Sequence, residues 1–194
     1  MATPLRRAAD VAERGCEQRM KEERDIHESL GAEGHGHPNV VHFESLFDDE
    51  DYYYFILELC RHQVRWPRRA SPSCAALRSR RSAHTQTLME LLRQRKTLTE
   101  LEVRYYVAQL VDGIRHLHER NILHRDLKLA NIFLGDGLSV KIADFGYAIR
   151  LSAATERRRS MCGTPNYIAP EILLGKNGPG HSFEVDLWTV GIVM

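Results

Sequence analysis

Three oxygen-bearing side chains on one short stretch, Asp126, Asn131 and Asp144, have the types and order that phosphoryl transfer requires. That reaction needs a carboxylate near the attacking hydroxyl and hard oxygen ligands that hold magnesium on the phosphates. Asp126 can take or orient the hydroxyl proton, and Asn131, at the end of the same loop, offers a carbonyl oxygen. Asp144 follows a strand-like run, Val140-Lys141-Ile142-Ala143, and offers a second oxygen ligand. Lys128, two residues after Asp126, would face the γ-phosphate.

These side chains need a frame. Residues 8–30 read as a charged helix that ends at Gly31. His35-Gly36-His37-Pro38 is a turn, and its histidines read as exposed loop residues in preference to a metal clip. Gly31, Gly34 and Gly36 lack the GxGxxG spacing of a phosphate loop and follow a helix, where a strand is required. Residues 40–47 and 52–59 are two strands joined by the acidic turn Asp48-Asp49-Glu50-Asp51. The second, with Tyr52-Tyr53-Tyr54-Phe55-Ile56-Leu57, is apolar on both faces, as a central strand would be. Its aromatic run lacks the basic surround of a base-stacking platform, so it is assigned to the core.

Order then breaks. Residues 61–84 hold seven arginines, four serines, two prolines and no acidic residue, with no helical or strand period. This composition predicts a disordered basic insert. A nucleic-acid tail or localisation signal is one reading; an insertion without a selected role is preferred. From Leu88 structure resumes, and Thr99 with Glu102 forms a capping box. Val103, Val107, Leu110, Ile114 and Leu117 recur at helical spacing, which predicts a long helix buried on one side. His116 and His118 fall on its last turn, where the helix end favours them. Short strands at Ile122-Leu123, Ile132-Phe133-Leu134 and residues 140–143 frame the reactive residues, with Gly135-Asp136-Gly137 as a turn. Residues 183–194 begin a further helix.

The chain has 194 residues and a net charge of +1, so no global charge draws it to nucleic acid or an anionic membrane. Cys16, Cys60, Cys74 and Cys162 show no CxxC spacing, which fits a reduced intracellular chain. No apolar run reaches transmembrane length, and no signal-peptide core is present at the start.

The reactive residues sit in three words: His124-Arg125-Asp126-Leu127-Lys128-Leu129-Ala130-Asn131, Asp144-Phe145-Gly146 and Ala169-Pro170-Glu171. In this order, with strands between, they resemble the motif set of protein kinases. The runs Cys162-Gly163-Thr164-Pro165-Asn166-Tyr167 and His181-Ser182-Phe183-Glu184-Val185-Asp186-Leu187-Trp188, with Leu57-Glu58-Leu59-Cys60, resemble polo-like serine/threonine kinases. The resemblance implies an α+β, two-lobed kinase fold that binds ATP and Mg2+ between its lobes and transfers the γ-phosphate to protein serine or threonine. By resemblance Glu23 is the glutamate of the helix that faces the site, and Leu57 is the gatekeeper. Glu58 and Cys60 supply the adenine-contacting backbone, and Phe133 the floor under adenine. Lys128 and Thr164 would both contact Asp126, and Asp186 would hold that loop from below. Ser160, after Arg157-Arg158-Arg159, would be an activation-segment phosphosite for an upstream kinase. Protein substrates and an intracellular place, cytoplasmic or nuclear and including centrosome or spindle, are further implications.

The departures define three parts: a partial N-lobe at 1–60, the insert at 61–86 and a partial C-lobe at 87–194. Residues 1–19 supply neither the glycine-rich loop nor the strand lysine of the family, and Lys21 lies inside the helix. The chain is expected to have an incomplete N-lobe sheet and a truncated helical C-lobe, and to transfer phosphate poorly. A non-catalytic kinase-like binding fragment is the alternative expectation.

Overall fold

The structure is a computed structural model. It describes the backbone of residues 2–6, 14–32, 34, 36–48, 52–60 and 86–194, and within those segments the side chains from residue 21 onward except 48, 52, 53 and 86. The expected disorder at 61–84, the acidic turn at 49–51, the start of the first helix and His35 lie outside the described residues.

Strand β1, Ala2–Arg6, precedes helix α1, Arg14–Gly31. Strands β2, Phe43–Asp48, and β3, Tyr52–Leu57, follow. The three form an antiparallel sheet in the order β1-β3-β2, so β3 is central, as its two apolar faces require. Strand β1 was not foreseen: the segment Ala-Thr-Pro-Leu-Arg has little strand periodicity, and its pairing with β3 overrides local propensity.

Strand β4, Gln86–Thr87, leads directly into α2, Leu88–Arg95. Thr87 and Glu90 form a capping box at that start, a second instance of the one read at Thr99 and Glu102. Helix α3, Glu100–His118, buries Leu110, Ile114 and Leu117, three of the five apolar positions read from its spacing, while Val103 and Val107 are half-buried. Strands β5, Ile122–Leu123, β6, Ile132–Leu134, β7, Val140–Ile142, and β8, Ile149–Arg150, surround the reactive words. They make two small sheets, β4-β6-β7 and β5-β8. Helices α4, Pro170–Leu173, and α5, Glu184–Val193, complete the described chain.

One apolar core unites these parts. Ile26 and Leu30 of α1 pack with Val40, Val41 and the buried faces of α2 and α3. Ile132, Leu134, Val140 and Ile142, all fully buried, place β6 and β7 at its centre. The loop after α1 is locked onto β7: Val41 N–H donates to Ile142 O at 2.8 Å, and Ile142 N–H donates to Asn39 O at 2.9 Å. Asn39 Nδ2 adds bonds to Val140 O at 3.0 Å and Gln109 Oε1 at 3.1 Å. The last turn of this loop meets α3 at Gly113, where a Cβ would stand 3.0 Å from Asn39 O. A second cluster, including Leu123, Leu151, Ile172 and Val185, packs α4 and α5 beneath β5 and β8. Among the described residues no helix is long and apolar enough to cross a membrane.

Candidate active site

Asp126 lies in the loop between β5 and β6 and is almost fully buried. Its carboxylate is held from both sides. Lys128 Nζ donates to Oδ2 at 2.6 Å, and the Thr164 hydroxyl donates to Oδ1 at 2.6 Å. Lys128 also donates to Thr164 Oγ1 at 3.0 Å, which closes a triangle across the loop and the activation segment. Asn131 Nδ2 donates to Asp126 O at 2.9 Å and to Oδ2 at 3.2 Å. That orientation leaves the Asn131 amide oxygen without a hydrogen bond among the described residues.

Asp144 follows β7 and is exposed, with Gly146 N–H donating to its Oδ1 at 3.4 Å. The N–H of Ala143, the residue before Asp144, donates to Asn131 O at 3.0 Å, which ties the two segments that carry the oxygen ligands. The Asn131 amide oxygen and the Asp144 carboxylate are hard donors of the kind magnesium takes. Among the described residues no group of three His, Cys, Asp or Glu side chains forms a protein-only metal site; His37 instead pairs with Asp112 at 3.3 Å.

The loop is pinned from below. Asp186, fully buried on α5, accepts His124 N–H at 3.0 Å and Arg125 N–H at 2.8 Å, as the sequence resemblance implied. It also accepts a 2.8 Å contact from His118 Nε2. Burial pushes its carboxyl up, but the His118 bond and the His124 donors outweigh burial and hold it below the ordinary range. His118 therefore has a specific partner, beyond the helix-end placement read from its position. The anchor also sustains a local cost: Arg125 and Asp144 both adopt left-handed φ, 67° and 66°.

Above the loop, Arg125 Nε donates to Tyr147 O at 2.8 Å and Nη1 to Ser160 Oγ at 2.7 Å. These residues line a cavity of about 370 Å³ with Glu22, Arg158, Arg159 and Cys162. Burial lowers the Arg125 guanidinium from its usual value.

Glu23 stands against Asp144 from α1. Burial first, and the Asp144 charge second, raise its carboxyl to about 7. Among the described residues His27 Nε2 lies 4.0 Å from its carboxylate, and no lysine reaches it. His27 is itself buried, which lowers it to about 4. Its ring meets Phe145 at 5.1 Å, and Phe145 meets His124 at 5.2 Å, a column of rings from α1 down to the pinned loop.

At the opposite edge, Leu57 and Phe133 pack on the main core. Glu58 N–H donates to His42 O at 2.9 Å, and its carboxylate receives His42 N–H at 2.8 Å and Lys141 Nζ at 2.7 Å. Cys60 is buried, which together with the Glu58 charge pushes its thiol up to about 11. Sequence reasoning missed His27, His118 and Lys141. The signals were present: His27 lies one helical turn after Glu23, and Lys141 interrupts the apolar strand Val140–Ile142.

A protein kinase domain model matches residues 6–194. The chain belongs to the protein kinase family. Several of its curated relatives carry polo or PLK serine/threonine-protein kinase names. It is 44% identical over 177 residues to serine/threonine-protein kinase polo of Drosophila melanogaster, covering 91% of this chain and 25% of that protein. It is 46% identical over 158 residues to serine/threonine-protein kinase PLK1 of Xenopus laevis, covering 81% of this chain and 22% of that protein. Serine/threonine-protein kinase plk-1 of Caenorhabditis elegans is 45% identical over 176 residues, 91% of this chain and 22% of that protein. The chain thus spans a quarter or less of the length of these relatives.

Proposed function

We propose that this polo-like kinase chain carries the acceptor-hydroxyl and metal-ligand half of a phosphoryl-transfer site acting on protein serine or threonine. The observation that carries the reading is the buried Asp126 carboxylate, oriented by Lys128, Thr164 and Asn131 one loop away from Asp144. Asp126 orients the substrate hydroxyl and takes its proton at a carboxylate oxygen. Lys128 offsets negative charge that gathers beside Asp126, and Thr164 ties this geometry to the activation segment. Asn131 and Asp144 would hold Mg2+ on ATP, which supplies the phosphoryl group. The adenine would lie between Leu57, the Glu58 to Cys60 backbone and Phe133. The Ser160 hydroxyl at Arg125 supports a phosphosite served by an upstream kinase. The four scattered cysteines, without CxxC spacing, support an intracellular setting, cytoplasmic or nuclear, with centrosome or spindle as the narrower proposal.

Transfer by this chain is expected to be slow. Glu23 faces Asp144 with no lysine between them among the described residues, so none of these supplies the lysine contact to the phosphates. Loss of one such contact commonly costs about a hundred- to thousand-fold in rate. The test compares the chain with a fusion that places a glycine-rich loop and strand lysine from a polo relative before β1. With magnesium, ATP and casein, the fusion should transfer phosphate and its Asp144→Ala variant should not. A fusion without Asp144-dependent transfer refutes the kinase reading. A chain as fast as the fusion refutes the missing contact.

A further inference from the structure

Lys141 has no part in the chemistry described above, yet it makes a 2.7 Å polar contact to Glu58 at the adenine edge. It lies on β7, opposite Phe133 of β6 in the antiparallel register. Residues directly opposite in such a pair present their side chains on the same face of the sheet. Ile132 with Ile142, and Leu134 with Val140, fill the other face and are fully buried. Lys141 therefore rises from the floor strand on the Phe133 side. Its Nζ ends 2.7 Å from Glu58 Oε1, and the same oxygen takes the His42 N–H at 2.8 Å.

The pair is shielded: the side chains are 17% and 27% exposed. A contact in this setting escapes most of the screening that makes surface ion pairs nearly worthless. It joins three things that the nucleotide reading needs at a fixed spacing. Glu58 opens the edge that would receive the adenine, Phe133 is the floor beneath it, and Asp144 lies three residues after Lys141 on the same chain segment. Nothing else described ties the Glu58 side chain to the floor strand.

We propose that Lys141 is a positioning residue for the base: its ion pair with Glu58 sets the distance between the adenine edge and the adenine floor. The inference rests on the adenine-edge assignment of Glu58, Cys60 and Phe133. The effect belongs to the base, so it should be the same for adenosine and for ADP, and independent of the metal ligand Asp144.

Adenosine is the suitable probe, because it needs no phosphate clamp. Its affinity is measured by ligand-observed NMR titration of the full chain and of Lys141→Met, Lys141→Arg, Glu58→Gln and the Lys141→Met/Glu58→Gln double variant. Lys141→Met and Glu58→Gln should each weaken adenosine about tenfold, the scale of one shielded hydrogen bond to a charge. The double variant should be no weaker than either single one, since both remove the same contact. Lys141→Arg should stay near wild type, and ADP should weaken by the same factor as adenosine. Thermal midpoints separate positioning from bulk stability: a lowered midpoint with adenosine affinity kept within twofold overturns the proposal. If Lys141→Met does not fold, Glu58→Gln makes the same comparison. A wild-type chain that does not bind adenosine overturns the adenine edge and this inference together. Failure of phosphate transfer with adenosine binding intact leaves the inference standing and refutes only the transfer reading.

Discussion

Ser160 shows what a single side chain can decide. Its hydroxyl already rests on Arg125 Nη1 at 2.7 Å, inside a cavity that Arg158 and Arg159 also line. A phosphate there would add about −1.5 to −2 charge next to the half-buried Arg125 guanidinium. In the fusion with a complete phosphate clamp, Ser160→Ala should lower casein phosphorylation by about tenfold, the worth of one charge-assisted bond, and Ser160→Asp should restore part of it. Equal rates for all three would remove Ser160 from regulation. Glu23 offers a second test. Its carboxyl is raised from 4.5 to about 7, so the folded state favours the protonated form. The folded chain is unpenalised below about 4.5, loses stability as pH climbs from there through about 7, and changes little beyond. Glu23→Gln should therefore stabilise the chain by about 2–3 kcal/mol at pH 8 and hardly at all at pH 4.5. Denaturant midpoints in magnesium-free buffer at the two values measure this, and an equal gain at both would rule out titration as its cause. Asp126, Asn131 and Asp144 were legible in the sequence because they stand in short words that resemble the kinase motif set, and their oxygens suit the chemistry. The Lys141 and Glu58 pair was not, because the partners are distant in sequence and ordinary in type.

The elements were legible where a local rule acts alone. Thr99 with Glu102 predicted the start of α3, and the structure shows both bonds of the box, Glu102 N–H to Thr99 Oγ1 at 3.4 Å and Thr99 N–H to Glu102 Oε2 at 2.8 Å. Thr99→Ala should cost about 1 kcal/mol in unfolding free energy. Strand β1 was illegible for the opposite reason: its order comes from β3, with Ala2 opposite Ile56 and Arg6 opposite Tyr52. Gly113 separates local from tertiary control. In an isolated helix, alanine there would gain about 1 kcal/mol. Here its Cβ would lie 2.8 Å from Ile142 Cδ1 and 3.0 Å from Asn39 O. Ile142 is fully buried and Asn39 O is backbone that accepts the Ile142 N–H, so neither can give way easily. Overpacking costs about 1–3 kcal/mol, which exceeds the propensity gain. Gly113→Ala should lower the denaturant midpoint; a raised midpoint would mean that α3 and the loop after α1 are less tightly joined than these distances state.

At the scale of the molecule, the balance lies between a well-filled interior and an uncovered flank. Helix α5 turns Val185, Asp186, Thr189 and Val190 inward, and Asp186 spends its carboxylate on the catalytic loop. The other side of the same helix leaves Leu187, Trp188 and Ile192 exposed at 56%, 46% and 42%. Trp188 and Ile192, four apart, are neighbours on the helix, and Leu187 widens the exposed face on the Trp188 side. The sequence pattern foretold a helix here but not this face, because α5 is apolar nearly all round and periodicity cannot say which side is covered. An apolar stripe of this kind seeks cover, and each large side chain that finds it gains about 1.5–3 kcal/mol. A net charge of +1 supplies almost no repulsion between copies. The described chain should therefore self-associate at micromolar concentration. Sedimentation velocity should show oligomers that dissociate when Leu187 and Ile192 are both changed to glutamate, while far-ultraviolet circular dichroism stays unchanged. The buried side of α5, and with it the Asp186 anchor, is untouched by those two substitutions, so the monomer they release should keep the loop geometry. If the double variant sediments like the wild type, the stripe is not what draws the copies together.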